Sequence, residues 1–215
     1  MRWSLRVQSL ESLHVSKKPT KSYVVASIAI MSALAIIFDV FSDVLPLRMP
    51  WGMKVDFVGT VWVLSYFLYG LSVASSVSVI TSLFITLFMP TGFVGGIMKF
   101  VATVPMFLVP ALMSRLPFFS NHGSKLFDKI LLIAGAAFLA NAVRLLVATT
   151  VNYYWAIPLW TGIPTGDILA VMFGGSILEF IIFVAGLNVL QGIIDVVFAW
   201  LLAFKFRLSS MFGTW

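Results

Sequence analysis

The chain has 215 residues, of which 60% are hydrophobic and 10% charged, with a formal net charge of +6. Soluble domains carry roughly a quarter of their residues as charges, so this composition, with a mean hydropathy of +1.05, excludes an ordinary soluble enzyme and describes a multi-pass membrane protein. Cysteine is absent, which removes disulfides, thiolate metal sites and Cys nucleophiles together.

Residues 1–22, "MRWSLRVQSLESLHVSKKPTKS", are basic and hold no apolar stretch ahead of a small-residue cleavage site, so they read as a retained cytoplasmic tail. The first span is predicted over Tyr23–Val44 and is stopped by "LPLRMPWGMKVDF", with two prolines and Gly52. Val58–Met89 is then unbroken by charge, longer than the ~20 residues one crossing takes and short of two. Gly70, in "FLYGLSVAS", is the expected turn between a short or tilted span 2 and span 3. "MPTGFVGG" closes span 3, span 4 is predicted over Val94–Ser114, and span 5 over Leu126–Trp155. After "AIPLWTGIPTGD", a shorter apolar piece, Ile168–Phe183, is expected to start at an Asp167 N-cap and to lead into span 6, Val184–Phe206.

The whole is an all-α integral membrane protein: a bundle of six transmembrane helices over residues 23–208, followed by a short tail, 209–215. Placing both termini in the cytoplasm gathers Arg2, Arg6, Lys17, Lys18, Lys21, Arg115, Lys125, Lys129, Lys205 and Arg207 inside, against Arg48 and Lys54 outside. That is the positive-inside bias of a multi-pass protein of the cell membrane, and it accounts for the basic pI without nucleic acid as a partner. No inverted two-half repeat is visible, which counts against a self-sufficient carrier.

Polar groups within spans cost several kcal/mol unless they face the bundle interior and find partners. On span 5, Asn141, Arg144, Ala148 and Asn152 follow steps of three, four and four, which sets them on one stripe. On span 6, Asn188, Gln191 and Asp195 repeat the pattern. The two spans run in opposite directions. Arg144 lies about 12 Å below Asn152 and Asp195 about 10 Å below Asn188, at ~1.5 Å per residue. The matched depths predict an upper amide layer of Asn152, Asn188 and Gln191 over a structural ion pair of Arg144 and Asp195. Amides also join membrane helices, but three of them beside aromatics at an outer opening favour a ligand site. Trp155, three residues after Asn152, is the candidate to stack on a flat ligand, while its aromatic neighbours read as an interfacial belt. Lys99, about one turn into span 4, either snorkels or touches ligand. In span 1, "ASIAIMSALA" places Ala26, Ala29 and Ala33 on a strip of small residues, which admits close approach of another helix.

No H-E-x-x-H, G-x-S-x-G or G-x-x-x-x-G-K-[ST] occurs, and "GFVGG" is too short to cradle phosphate. Asp39 and Asp43, near the end of span 1, read as decorating or capping that region. The expectation is no catalytic site, no metal and no ATPase in this chain.

Four stretches together carry a resemblance: "KVDF" entering span 2, "PTGFVGGIMKFVATVPMFLVPAL" through span 4, "TTVNYYWAIPL" ending span 5 and "GLNVLQG" opening span 6. In this order and spacing the chain resembles the substrate-binding S-components of energy-coupling factor (ECF) vitamin transporters, and among them the riboflavin-specific type. The resemblance implies a vitamin-capture subunit open to the outside, with Lys54 and Asp56 in a capping loop. A separate transmembrane coupling subunit, met by Ala26, Ala29 and Ala33, and two ABC ATPases would supply energy. It also implies that Asn152 and Asn188 hold riboflavin, the transported ligand and not a cofactor. Gln191 stands where that family's lysine is expected, and Lys99 where an asparagine is more usual. Three readings follow: capture of riboflavin, capture of another vitamin or precursor on the same scaffold, and a solitary proton-coupled carrier using Arg144 and Asp195.

Overall fold

The computed structural model describes residues 19–42, 53–119 and 123–213. Asp43, Val44, Arg48 and residues 1–18 of the tail lie outside the described residues. The regular elements are helices: α1 Lys21–Ser42, α2 Val58–Tyr69, α3 Leu71–Phe88, α4 Gly92–Thr103, α5 Pro105–Ser114, α6 Ile130–Val151, α7 Ile157–Thr161, α8 Ile168–Met172, α9 Ile177–Trp200 and α10 Leu208–Phe212. A π-helical turn, Asn152–Ala156, joins α6 to α7, and another, Leu201–Lys205, extends α9. Among the described residues, five stretches are long and apolar enough to cross a membrane: Lys21–Ser42, Leu71–Phe88, Gly92–Ser114, Ile130–Thr161 and Ile177–Lys205. With the shorter apolar α2 they make the six helices of a multi-pass membrane bundle.

α2 is the axis. Every residue from Val58 to Leu68 is buried, as a helix apolar on all sides requires, and α1, α3, α5 and α9 pack around it. At 12 residues it is only about 18 Å long. Gly70 separates it from α3 with φ 86°, a conformation that side chains disfavour, and its amide donates to the Tyr66 carbonyl at 2.9 Å. Pro105, which has no amide hydrogen, divides span 4 into α4 and α5.

Three boundaries differ from expectation. The last long helix begins at Ile177, not Val184, because the interruption falls at Phe173–Ser176, where Gly174 and Gly175 adopt φ 56° and 82°. Ser176 then accepts a hydrogen bond from the Glu179 amide at 3.2 Å. Phe180, Val184 and Asn188 continue one buried face at steps of four, so hydropathy alone shows no seam at Val184. Asp167 makes no side-chain capping bond and is exposed; the chain enters α8 through a 3-10 turn, Thr165–Asp167. At the start of span 5, Gly123–Asp128 is also a 3-10 turn, and the α-helix begins at Ile130.

The far end of α2 is filled by aromatic rings. Phe67 packs against Phe127 and Phe204 at centroid distances of 5.8 and 5.3 Å, and Tyr66 lies 6.2 Å from Phe127. A smaller apolar cluster, Ile157, Ile168, Phe173, Phe180 and Val184, ties α7 and α8 to the start of α9.

Candidate binding site

At the near end of α2 the bundle is hollow. A cavity with about 700 Å³ of empty space, counted to its margin with solvent, lies between α4, α6, α9 and the segment entering α2. Lys54, Asp56, Lys99, Asn152, Asn188 and Gln191 all line it.

Asp56 organises the approach. Its Oδ1 accepts from the Val58 amide at 2.8 Å, which satisfies an orphan donor at the start of α2. Both of its carboxylate oxygens lie 2.5 Å from Lys99 Nζ on α4. Its backbone pairs with Gln191 on α9: the Asp56 amide donates to Gln191 Oε1 at 3.2 Å, and Gln191 Nε2 donates to the Asp56 carbonyl at 2.7 Å. Gln191 Nε2 also donates to Asp195 Oδ1 at 2.9 Å. One donor facing the oxygen and two acceptors facing the nitrogen fix the amide's orientation. Gln191 thus lines the cavity with both of its N–H groups engaged by protein. Its part in the geometry is to fasten the 53–56 segment to α9.

Three ion pairs surround the space. Lys54 Nζ is 2.9 Å from Asp39 Oδ1, Lys99 binds Asp56, and Arg144 Nη1 donates to Asp195 Oδ2 at 3.1 Å. The three acids are at most 1% exposed at their side chains, and each has one base, so the charges of the described residues balance there. Close packing supports the deepest pair. A Cβ on Gly59 would collide with the Asp195 carboxylate, and one on Gly192 with Asn141 Oδ1. Glycine at these two places lets α2 and α6 approach α9.

The asparagines differ from Gln191. Asn152 Nδ2 donates to the Ala148 carbonyl and Asn188 Nδ2 to the Val184 carbonyl, each at 2.8 Å and each within its own helix. Asn188 Nδ2 also approaches Met53 Sδ at 3.8 Å. Neither side-chain oxygen takes a bond from a described residue. Two buried amides therefore present acceptor oxygens, and Asn152 a second N–H as well, where the cavity needs them.

Trp155 is not among the lining residues; it packs edge-on to Phe93 at 6.3 Å. Trp160 lines the cavity instead. The reason is the π turn at 152–156, which closes i to i+5 and advances less angle per residue than an α-helix. Asn152, Ala156 and Trp160 then share the inner face, and Trp155 turns aside. Asp39 also lines the cavity, 1% exposed, although its place near the end of span 1 reads as peripheral. The signal was its register: Met31, Ala35 and Asp39 recur at steps of four on the buried face of α1. Ala26, Ala29 and Ala33 occupy the opposite, exposed face of α1. Among the described residues no three His, Cys, Asp or Glu side chains gather as metal ligands.

The chain matches no protein-family model and no curated protein. Among solved structures it is similar to the S component of a bacterial ECF transporter, with a TM-score of 0.62 and 18% sequence identity over 89% of this chain and 98% of that one. The likeness is one of fold, and it spans nearly the whole of both chains. The chain thus shares the fold of that S component, and its apolar helices are those of a multi-pass membrane protein.

Proposed function

We propose that this chain is the substrate-capture subunit of an ECF-type importer, binding riboflavin from outside the cell membrane. The observation that carries this reading is the pair of buried amides, Asn152 and Asn188, facing one cavity in a fold shared with an S component. A flavin ring offers carbonyl oxygens, ring nitrogens and an N–H along one edge, which the asparagines complement. Trp160, Met53 and Met98 supply apolar surface for the ring. Delivery inward belongs to a separate coupling subunit and two ABC ATPases, and the exposed alanine strip of α1 is the surface offered to the coupling subunit.

The engagement of Gln191 by Asp56 favours keeping a second cargo in view, another uncharged vitamin or precursor on the same scaffold. A solitary carrier is disfavoured: Asp195 is fully buried and held by both Arg144 and Gln191, so a relay through it has to break two bonds. The deciding experiment is purification after expression in a riboflavin-replete host. Bound yellow ligand with a flavin spectrum supports the assignment. A folded protein that neither retains nor binds riboflavin at micromolar concentration rejects the cargo. Uptake by the chain alone, without coupling and ATPase subunits, rejects the subunit reading.

A further inference from the structure

Apart from the Asp39 carboxylate, which is paired with Lys54, two buried polar groups at the cavity lining have no partner among the described residues. Thr103 is 0% exposed and its Oγ1 makes no hydrogen bond to a described residue; Arg144 is 2% exposed and its Nε makes none to a described residue. Both residues line the cavity. A helical threonine ordinarily satisfies its hydroxyl on the carbonyl four residues back. Thr81 does so on Val77 at 2.8 Å, and Ser65 likewise on Val61 at 2.7 Å. Thr103 does not. Thr60, Ser82 and Asn141 also bear buried atoms without a bond, but none of them lines the cavity.

Both groups sit at the inner limit of the space. α4 begins, and α6 ends, near the Asn152 layer, and the two helices pack together. Thr103 is one turn, about 6 Å, beyond Lys99, and Arg144 is about 12 Å from Asn152 along its helix. An unsatisfied buried donor is unfavourable in the empty protein, and a ligand group placed there removes that penalty. Arg144 Nε needs an acceptor, while the threonine hydroxyl takes either role. An alcohol serves both. A carboxylate or phosphate does not suit the place, because Arg144 is already matched to Asp195 and, among the described residues, the three acids of the site already have their three bases. An added anion there is buried without a counter-charge.

We propose that Thr103 and Arg144 form a deep subsite for an uncharged, hydroxyl-bearing chain of the ligand, which extends inward from a ring held at Asn152 and Asn188. The placement of the ring rests on the flavin reading above. The subsite itself rests on the two unpartnered groups.

The test uses the full chain, wild type and Thr103→Val, titrated by flavin fluorescence with riboflavin, with lumiflavin, in which a methyl replaces the hydroxylated chain, and with riboflavin 5′-phosphate. Riboflavin is expected to bind about tenfold tighter than lumiflavin, and Thr103→Val to narrow that ratio about fivefold, the range of one or two hydrogen bonds. The phosphate ester is expected to bind at least about tenfold more weakly than riboflavin, the penalty of an unpaired buried charge. A ratio indifferent to Thr103→Val, or equal binding of the phosphate ester, overturns the proposal by pointing the chain out of the cavity. The ligand-free proteins give a separate arm. Thr103→Val should melt at or above the wild-type temperature, and a lower melting point makes the hydroxyl structural and overturns the subsite. Should no flavin bind, the cargo reading fails by itself. The subsite is then judged by ribitol, which should raise the melting temperature of the wild type more than that of Thr103→Val; an equal rise rejects it.

Discussion

The two ends of α2 are opposites. Beyond its last turns, the fully buried Phe67 and Phe127 interlock with the partly buried Phe204, while ahead of its first turn the bundle holds a cavity edged by ion pairs and amides. One end is built of aromatic rings, with hydroxyls such as the Tyr66–Ser114 pair but no ion pair among the described residues, and the other collects charges in balanced pairs. The difference teaches how a bundle of this size keeps a hole open. Dispersion contacts in the filled end hold the helices in place. The hollow end is kept apart by charges that satisfy one another and leave only a few atoms for a guest.

The sharpest way to break this contrast is at the deepest pair. Arg144→Ala leaves Asp195 buried without a counter-charge and should destabilise the protein by about 3–5 kcal/mol, read as loss of folded protein in a detergent melt. Gly59→Ala should act in the same direction, because the new methyl group meets the Asp195 carboxylate. If both variants melt like the wild type, the pair does not hold the hollow end together.

Phe127→Ala at the filled end should cost about 3–5 kcal/mol by opening an apolar cavity. Its signature is different. Stability should fall while riboflavin affinity of the folded fraction changes less than about twofold, since distant sites act independently. A large affinity loss here dissolves the division between the ends.

Asn152→Ala and Asn188→Ala should do the reverse. Each is expected to weaken riboflavin binding about 5- to 150-fold, the range of about 1–3 kcal/mol for a buried group left unsatisfied, with a smaller change in the ligand-free melting temperature. Isothermal titration alongside a thermal melt separates the two quantities. The smallest expected contrast compares tryptophans: Trp160→Ala should weaken binding about tenfold through lost apolar contact, and Trp155→Ala about twofold or less. The opposite order places Trp155 against the ligand and contradicts the π-turn geometry.

Much of this architecture is legible without coordinates, for specific reasons. Val58–Met89 is too long for one crossing, so Gly70 had to turn the chain, and it does so at positive φ. The steps of four that carry Arg144 and Asn152, and the matching depths on span 6, rest on helical rise alone. Rise alone therefore sets Arg144 and Asp195 opposite each other, and they lie 3.1 Å apart. What stayed hidden depends on contacts that periodicity does not encode. Nothing in "NYYWA" distinguishes a π turn from an α turn, so the sequence does not reveal that Trp160 rather than Trp155 lines the cavity. Gln191 bonds the backbone of a residue 135 positions earlier, a commitment that side-chain chemistry alone does not reveal. Asp39 looks terminal until Lys54 is folded back onto it. The break at Phe173–Ser176 was available in the Gly174–Gly175 pair, but the apolar run around it outweighed the signal.

The brevity of α2 has a further meaning. Its roughly 18 Å of helix stand where a full crossing needs about 30 Å, so the cavity occupies, in effect, the volume of the helix that was not built. Capacity in such a protein is then set by a starting point. Each extra helical residue ahead of Val58 would advance a floor of backbone about 1.5 Å into the chamber, and each one removed would withdraw it. Evolution, or an engineer, can thus resize the guest by moving one helix start along the chain while the five surrounding walls keep their sequence.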